Sequence, residues 1–218
     1  MNRLLSELHR LYPPAPAGHA HALLLALGRP ADWEALGAVW RGLQADLGLP
    51  APGIAVSGTD AMQLWLPLQQ PVSTARATDF LARLAARYLP GIAPARLRLL
   101  ASDQPPPVPA QDTASGNWSA FVAPDLAPVF VDTPWLDIPP GADGQADLLA
   151  RLQPIPPAAF DAALLALAPA ATGTPAASAA PAPAADVDPR HFLQRVLNDE
   201  SAPLALRVEA AKALLPRG

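Results

Sequence analysis

No cysteine occurs in the 218 residues. That excludes a disulfide framework, thiolate metal sites and a cysteine nucleophile, and it fits a reducing compartment. No uninterrupted apolar run approaches the roughly 18 residues of a membrane-crossing helix, so no membrane partner is expected. The leucines near the N-terminus are interrupted by Glu7, His9 and Arg10, and no leader-peptide core forms. A soluble cytoplasmic protein is the expectation. A Gly-x-x-x-x-Gly-Lys-Ser/Thr phosphate loop is missing, as is a Gly-x-Ser-x-Gly elbow around Ser57 or Ser119. P-loop and α/β-hydrolase chemistry are therefore unsupported. Aromatics are scarce, while alanine, leucine and proline dominate, a bias that fits a GC-rich bacterial genome.

The net charge of -4 hides a segregation. Arg76, Arg83, Arg87, Arg96 and Arg98 face Asp79 alone between Pro71 and Leu100, whereas Arg151 is the only base against nine aspartates between Ala101 and Asp186. An acidic half argues against broad phosphate-backbone binding. The arginine-bearing stretch reads as a solvated helix face or, alternatively, as a seat for a small anion.

Periodicity places an α+β domain over 1–168, its sheet mixed or antiparallel and covered by helices. Asn2 caps a first helix, His21–Leu27 is an apolar run of strand length, and Asp32 caps a helix with a seam of Trp33, Leu36, Trp40, Leu43 and Leu47. Gly48 stands at a left-handed helix end, and Ile54–Val56 is a strand. Met62, Leu64, Leu66 and Leu68 alternate with Gln63, Trp65 and Pro67, which predicts a half-buried strand with a turn after it at Gln69–Val72. Ser73 or Thr74 caps a helix with Ala77, Phe80, Leu81, Leu84 and Tyr88 inward. Strands are expected at Leu97–Leu100, Asn117–Val122 and Pro128–Asp132, and helices at Gln145–Leu152 and Pro157–Ala168. The Ala/Pro-rich stretch over 169–186 reads as a disordered linker. Residues 187–218 read as a helical hairpin offering Phe192, Val196, Leu206 and Leu214 to its own domain or to a partner protein. His19 and His21 lack a third ligand at recognisable spacing, so neither a metal site nor a cofactor is expected.

Within this order one segment stands out, Ser57-Gly58-Thr59-Asp60-Ala61-Met62-Gln63-Leu64-Trp65-Leu66-Pro67-Leu68. With the preceding apolar run, helix and Gly48-Leu49, it resembles the archaeo-eukaryotic primase-polymerase superfamily, in particular the polymerase domain of bacterial end-joining DNA ligases. The resemblance spans about Ala22 to Tyr88. It implies a strand with paired metal-binding aspartates and a motif histidine facing nucleotide phosphates. Here those positions are Ala26, Gly28 and Gln63, and the motif's second glycine is Ala61. The resemblance therefore implies a degenerate, catalytically inactive relative, an accessory or adaptor on a mobile element. Its remaining ligand contacts, for a nucleotide or nucleic acid, would be Ser57, Gly58, Gln63, Trp65, Arg76, Arg83 and Arg87. The segment alone also reads as an ordinary β-hairpin strand, and two other functions stay open: a protein-interaction module with no nucleic-acid role whose tail hairpin docks on a partner, and an active nucleotidyltransferase. The tail hairpin is similar to tails of phage small terminase-like proteins, or is a generic amphipathic hairpin.

Overall fold

The structure is a computed structural model and describes residues 2–168. The expected linker, and the hairpin with Phe192, Val196, Leu206 and Leu214, lie outside the described residues. Among the described residues five strands form one antiparallel sheet: β1 (His19–Gly28), β2 (Gly53–Val56), β3 (Ala61–Ser73), β4 (Leu97–Ser102) and β5 (Ala120–Val122). Their order is β4-β1-β3-β2-β5, which settles the sheet as antiparallel rather than mixed.

Helices α1 (Arg3–Leu11), α2 (Trp33–Ala45), α3 (Thr74–Tyr88), α4 (Ala142–Ala150) and α5 (Pro157–Ala166) cover both sides. The caps follow local chemistry. The side chains of Asn2, Asp32 and Ser73 accept from Leu4 N, Ala35 N and Arg76 N and start α1, α2 and α3. Gly48, at φ +62°, turns the chain after α2.

The sheet divides two apolar layers. On one face Leu23, Leu25 and Leu27 of β1 and Met62, Leu64 and Leu66 of β3 pack against Leu36 and Leu43 of α2, Phe80 and Leu84 of α3 and Phe160 of α5. On the other, Ala22, Leu24 and Trp65 lie under Leu4 and Leu11 of α1, Val108, and Leu149 of α4. β3 is thus buried on both faces from Ala61 to Leu68. The half-buried strand expected from its alternation is corrected here, because α1 and α4 supply a second cover that period two cannot reveal.

Two local expectations are also corrected. Gln69–Val72 is no turn: β3 runs on to Ser73, pairing Val72 with Ala20 and Ser73 with His19 across an irregularity between Ala20 and Ala22. Pro128–Asp132 is no strand: Ala127–Phe130 is one 3-10 turn. Ala127 N donates back to Ala123 O and Val129 N to Leu126 O, while Pro128 has no N–H for a ladder. Of the strand expected over Asn117–Val122, only Ala120–Val122 is regular.

Candidate functional site

Strand register brings together the three positions that the sequence resemblance singled out. Ala26 of β1 pairs directly with Gln63 of β3 on one side and with Arg98 of β4 on the other. Gln63 pairs in turn with Ala55 of β2, and Ala55 with Phe121 of β5. Directly paired residues project to the same face, so Arg98, Ala26, Gln63, Ala55 and Phe121 form one row across the sheet. Gly28 stands one pleat further along β1 on the same face, paired with Ala61. The row is polar only at Arg98, which is exposed, and at Gln63, which is 8% exposed.

Gln63 is committed internally. Trp65 Nε1 donates to Gln63 Oε1 at 2.9 Å, both residues lying on the covered face of β3. The Trp65 ring meets Tyr12 edge-on at 5.3 Å and Phe121 edge-on at 5.7 Å, and Tyr12 stacks parallel on Phe121 at 6.2 Å. Such pairs add about 0.5–1.5 kcal/mol each beyond burial. Trp65 is therefore a core anchor, 1% exposed.

Ser57 and Gly58 shape the turn into β3. Ser57 Oγ accepts from Thr59 N at 3.1 Å and from Ala61 N at 3.0 Å. Gly58 sits at φ +83°, and a Cβ there would lie 2.8 Å from Ser119 N. Only glycine fits that approach. The close approach places the turn against Trp118 and Ser119, and Gly58 N donates to Pro134 O.

Arg76, Arg83 and Arg87 lie elsewhere. They belong to α3, whose inward residues join the layer on the opposite face of the sheet from Gln63 and Trp65. Arg76 pairs with Asp161 at 2.6 Å and lies over the Phe160 ring. Arg83 pairs with Asp79 and donates to Leu164 O, and Arg87 donates to Ala166 O. These three side chains hold α5 against α3. Gln63 and Trp65 are joined by a hydrogen bond, Ser57 and Gly58 shape the turn at the start of the same strand, and the arginines belong to neither pair.

His19 and His21 each place Nδ1 within 3.3 Å of a backbone carbonyl, of Ala17 and Leu68 respectively. No cluster of three His, Asp or Glu suited to a metal occurs among the described residues. No helix among them is long and apolar enough to cross a membrane. Burial raises the Tyr12 phenol far above its ordinary range, and burial followed by the Asp46 hydrogen bond pushes Tyr88 up to about 12.

Sequence reasoning missed the neighbour that Arg98 makes of Ala26. Alternation of Leu97 and Leu99 with Arg98 was available as a signal for its facing, but the pairing partner was not. It also missed Gln145, whose Oε1 accepts from Phe121 N at 2.8 Å while its Nε2 donates to Phe121 O at 2.9 Å.

The fold and this row define an α+β protein with one antiparallel sheet between two helical layers. In structure the chain is similar to the AEP domain of the cyanophage S-2L primase-polymerase, at 17% identity over 61% of each chain and a TM-score of 0.29. It is similar too to the polymerase domain of Mycobacterium tuberculosis ligase D, solved in complex with DNA, at 21% identity over 71% of this chain and 53% of that one, with a TM-score of 0.30. The chain thus spans under two thirds of either neighbour. No family model and no curated protein matches it.

Proposed function

We propose that this chain is a non-catalytic protein on a primase-polymerase-like framework, working as an accessory or adaptor, on a mobile element in the setting its sequence suggests. The observation that carries the reading is the makeup of the row through Ala26 and Gln63. Two-metal phosphoryl transfer needs oxygen ligands that clamp hard cations. The two positions that the sequence resemblance assigns to carboxylates are a methyl group and a hydrogen. The neighbour of Ala26 on β4 is the Arg98 guanidinium, which repels a divalent cation. Gly28 has no room for a replacement: a Cβ there would lie 2.8 Å from Asp60 O and 2.9 Å from Ala61 Cβ. Gln63, in place of the motif histidine, cannot become cationic and already accepts from Trp65.

The test is an incorporation assay with a primed template, nucleoside triphosphates and magnesium or manganese. No extension above the buffer blank is expected. Extension that depends on metal and is stopped by chelation overturns the proposal.

A second reading is a protein-interaction module without a nucleic-acid role. It is favoured by one observation: Gln63 and Trp65 are covered, while Arg76, Arg83 and Arg87 are occupied on the far side of the sheet. Titration with labelled single-stranded oligonucleotide at low and moderate salt separates the two. No binding at low salt leaves the interaction module, and salt-sensitive binding restores a nucleic-acid role.

A further inference from the structure

Between β5, residues 51–53 and the end of α4 lies a cavity of about 270 Å³. Pro52, Phe121, Leu148, Leu149 and Leu152 stand among its walls, and every lining residue is apolar or glycine except two, Asp125 and Arg151. A dry apolar cavity of roughly 150 Å³ already admits benzene, so this one has space for a branched or aromatic side chain. The walls are fixed to each other. Gln145 of α4 bonds both backbone groups of Phe121, at 2.8 Å and 2.9 Å. Arg10 Nη2 donates to Leu149 O at 2.9 Å and to Leu152 O at 3.3 Å, which pins the end of α4. A Cβ built on Gly53 would lie 2.9 Å from Leu152 Cδ1, so the missing side chain leaves Leu152 its place in the wall. A cavity with pinned walls needs little reordering to take a ligand.

Asp125 follows β5 and Arg151 follows α4, so two segments distant in sequence bring opposite charges to one cavity. Both side chains are exposed. The ion pairs among the described residues include neither of them, with each other or with a third group. By contrast Arg76 holds Asp161 and Arg83 holds Asp79.

We propose that this cavity binds a free α-amino acid with a large apolar side chain, its ammonium group held by Asp125, its carboxylate by Arg151 and its side chain by the apolar walls. A lone cation would be drawn to Asp125 and repelled by Arg151, and a lone anion the reverse, whereas a zwitterion is complementary to both. Apolar walls with a few polar groups that fix orientation are the usual form of a small-molecule site. This site stands apart from the primase-polymerase reading and involves neither metal nor phosphate.

The test uses the full chain and four probes: L-leucine, 3-methylbutylamine, which lacks its carboxylate, 4-methylpentanoate, which lacks its ammonium group, and glycine, which lacks its side chain. Affinities are read by titration with ligand-observed saturation-transfer NMR. Leucine binds the parent protein more tightly than either analogue, and glycine binds at least about tenfold more weakly than leucine, because it buries no apolar group. In Arg151→Gln the preference for leucine over 3-methylbutylamine falls by about twofold to fivefold, the size of one exposed ion pair. In Asp125→Asn the preference over 4-methylpentanoate falls by as much. Both residues are exposed, so circular dichroism of the variants matches the parent. The proposal is overturned if leucine does not bind the parent, if glycine binds as well as leucine, or if either variant leaves its preference unchanged.

Discussion

Trp65 donates its indole N–H to the side-chain carbonyl of Gln63, two residues earlier on the same face of β3, at 2.9 Å. Both groups are buried beneath α1 and α4, so each is the other's replacement for water. The amide that the sequence resemblance sets in the place of a motif histidine is thereby part of the core.

Breaking this pair from either side leaves a buried polar group alone. Gln63→Leu strands the indole N–H and Trp65→Phe strands the amide oxygen, each at a cost of about 1–3 kcal/mol. The double variant costs less than the sum, with a coupling of about 1 kcal/mol in urea denaturation. Additive costs would show that the hydrogen bond contributes nothing.

Introducing carboxylates at Gly28 or Ala26 does not create a metal site. Gly28→Asp pushes a Cβ into Asp60 O and Ala61 Cβ. It loses at least about 1–3 kcal/mol from overpacking alone. Ala26→Asp, beside Arg98, loses less than the same change made together with Arg98→Ala. Neither variant gains thermal stability from magnesium, as differential scanning fluorimetry would detect.

Gln145 pairs with Phe121 as a neighbouring strand would, filling both backbone groups on the outer side of β5. Gln145→Leu removes both bonds and leaves a sheet edge unpaired. A loss of about 1–3 kcal/mol follows, with the concentration-dependent association that an open edge invites. Sedimentation at two concentrations reads the association, and an association state and stability unchanged from the parent refute the edge-capping role.

The two tyrosines, Tyr12 and Tyr88, report on folding at alkaline pH. Burial raises Tyr12 and, with the Asp46 hydrogen bond, raises Tyr88 to about 12, against 10.0 in an unperturbed phenol. The unfolded chain therefore releases these protons first. The stability their protonated forms contribute is fully present below about pH 10 and is lost as pH rises through the folded values. At about pH 11 the native protein shows little tyrosinate absorbance, and denaturant reveals two tyrosinates. Full tyrosinate signal before unfolding would contradict the burial of Tyr12.

Much of the fold was legible because its signals are local. The caps at Asn2, Asp32 and Ser73, the seam from Trp33 to Leu47 and the left-handed Gly48 each depend on neighbours within a few positions. The failures have the opposite character. Gln69 to Val72 reads as a turn, yet Ala20 pairs with Val72 from more than fifty positions away and keeps the segment in β3. Phe130 and Val131 have strand propensity, yet Pro128 and the bonds to Ala123 and Leu126 close a turn. At the candidate site, the sequence placed Ala26, Gly28 and Gln63 in one constellation, and register puts them on one sheet face. It also grouped Arg76, Arg83 and Arg87 with them, since a helix following a strand does not announce which side of the sheet it will cover.

The sequence alone determined an α+β domain and most of its elements, and it set Ala26, Gly28 and Gln63 in one constellation. It did so because hydrophobic period and capping chemistry are written within one turn or one strand. Only the tertiary structure decided that α1 and α4 cover Gln63 and Trp65, that Arg98 faces Ala26, and that Asp125 and Arg151 line one cavity. Those outcomes arise from strand order and from distant segments competing to bury the same surface, and no local pattern encodes which of them wins.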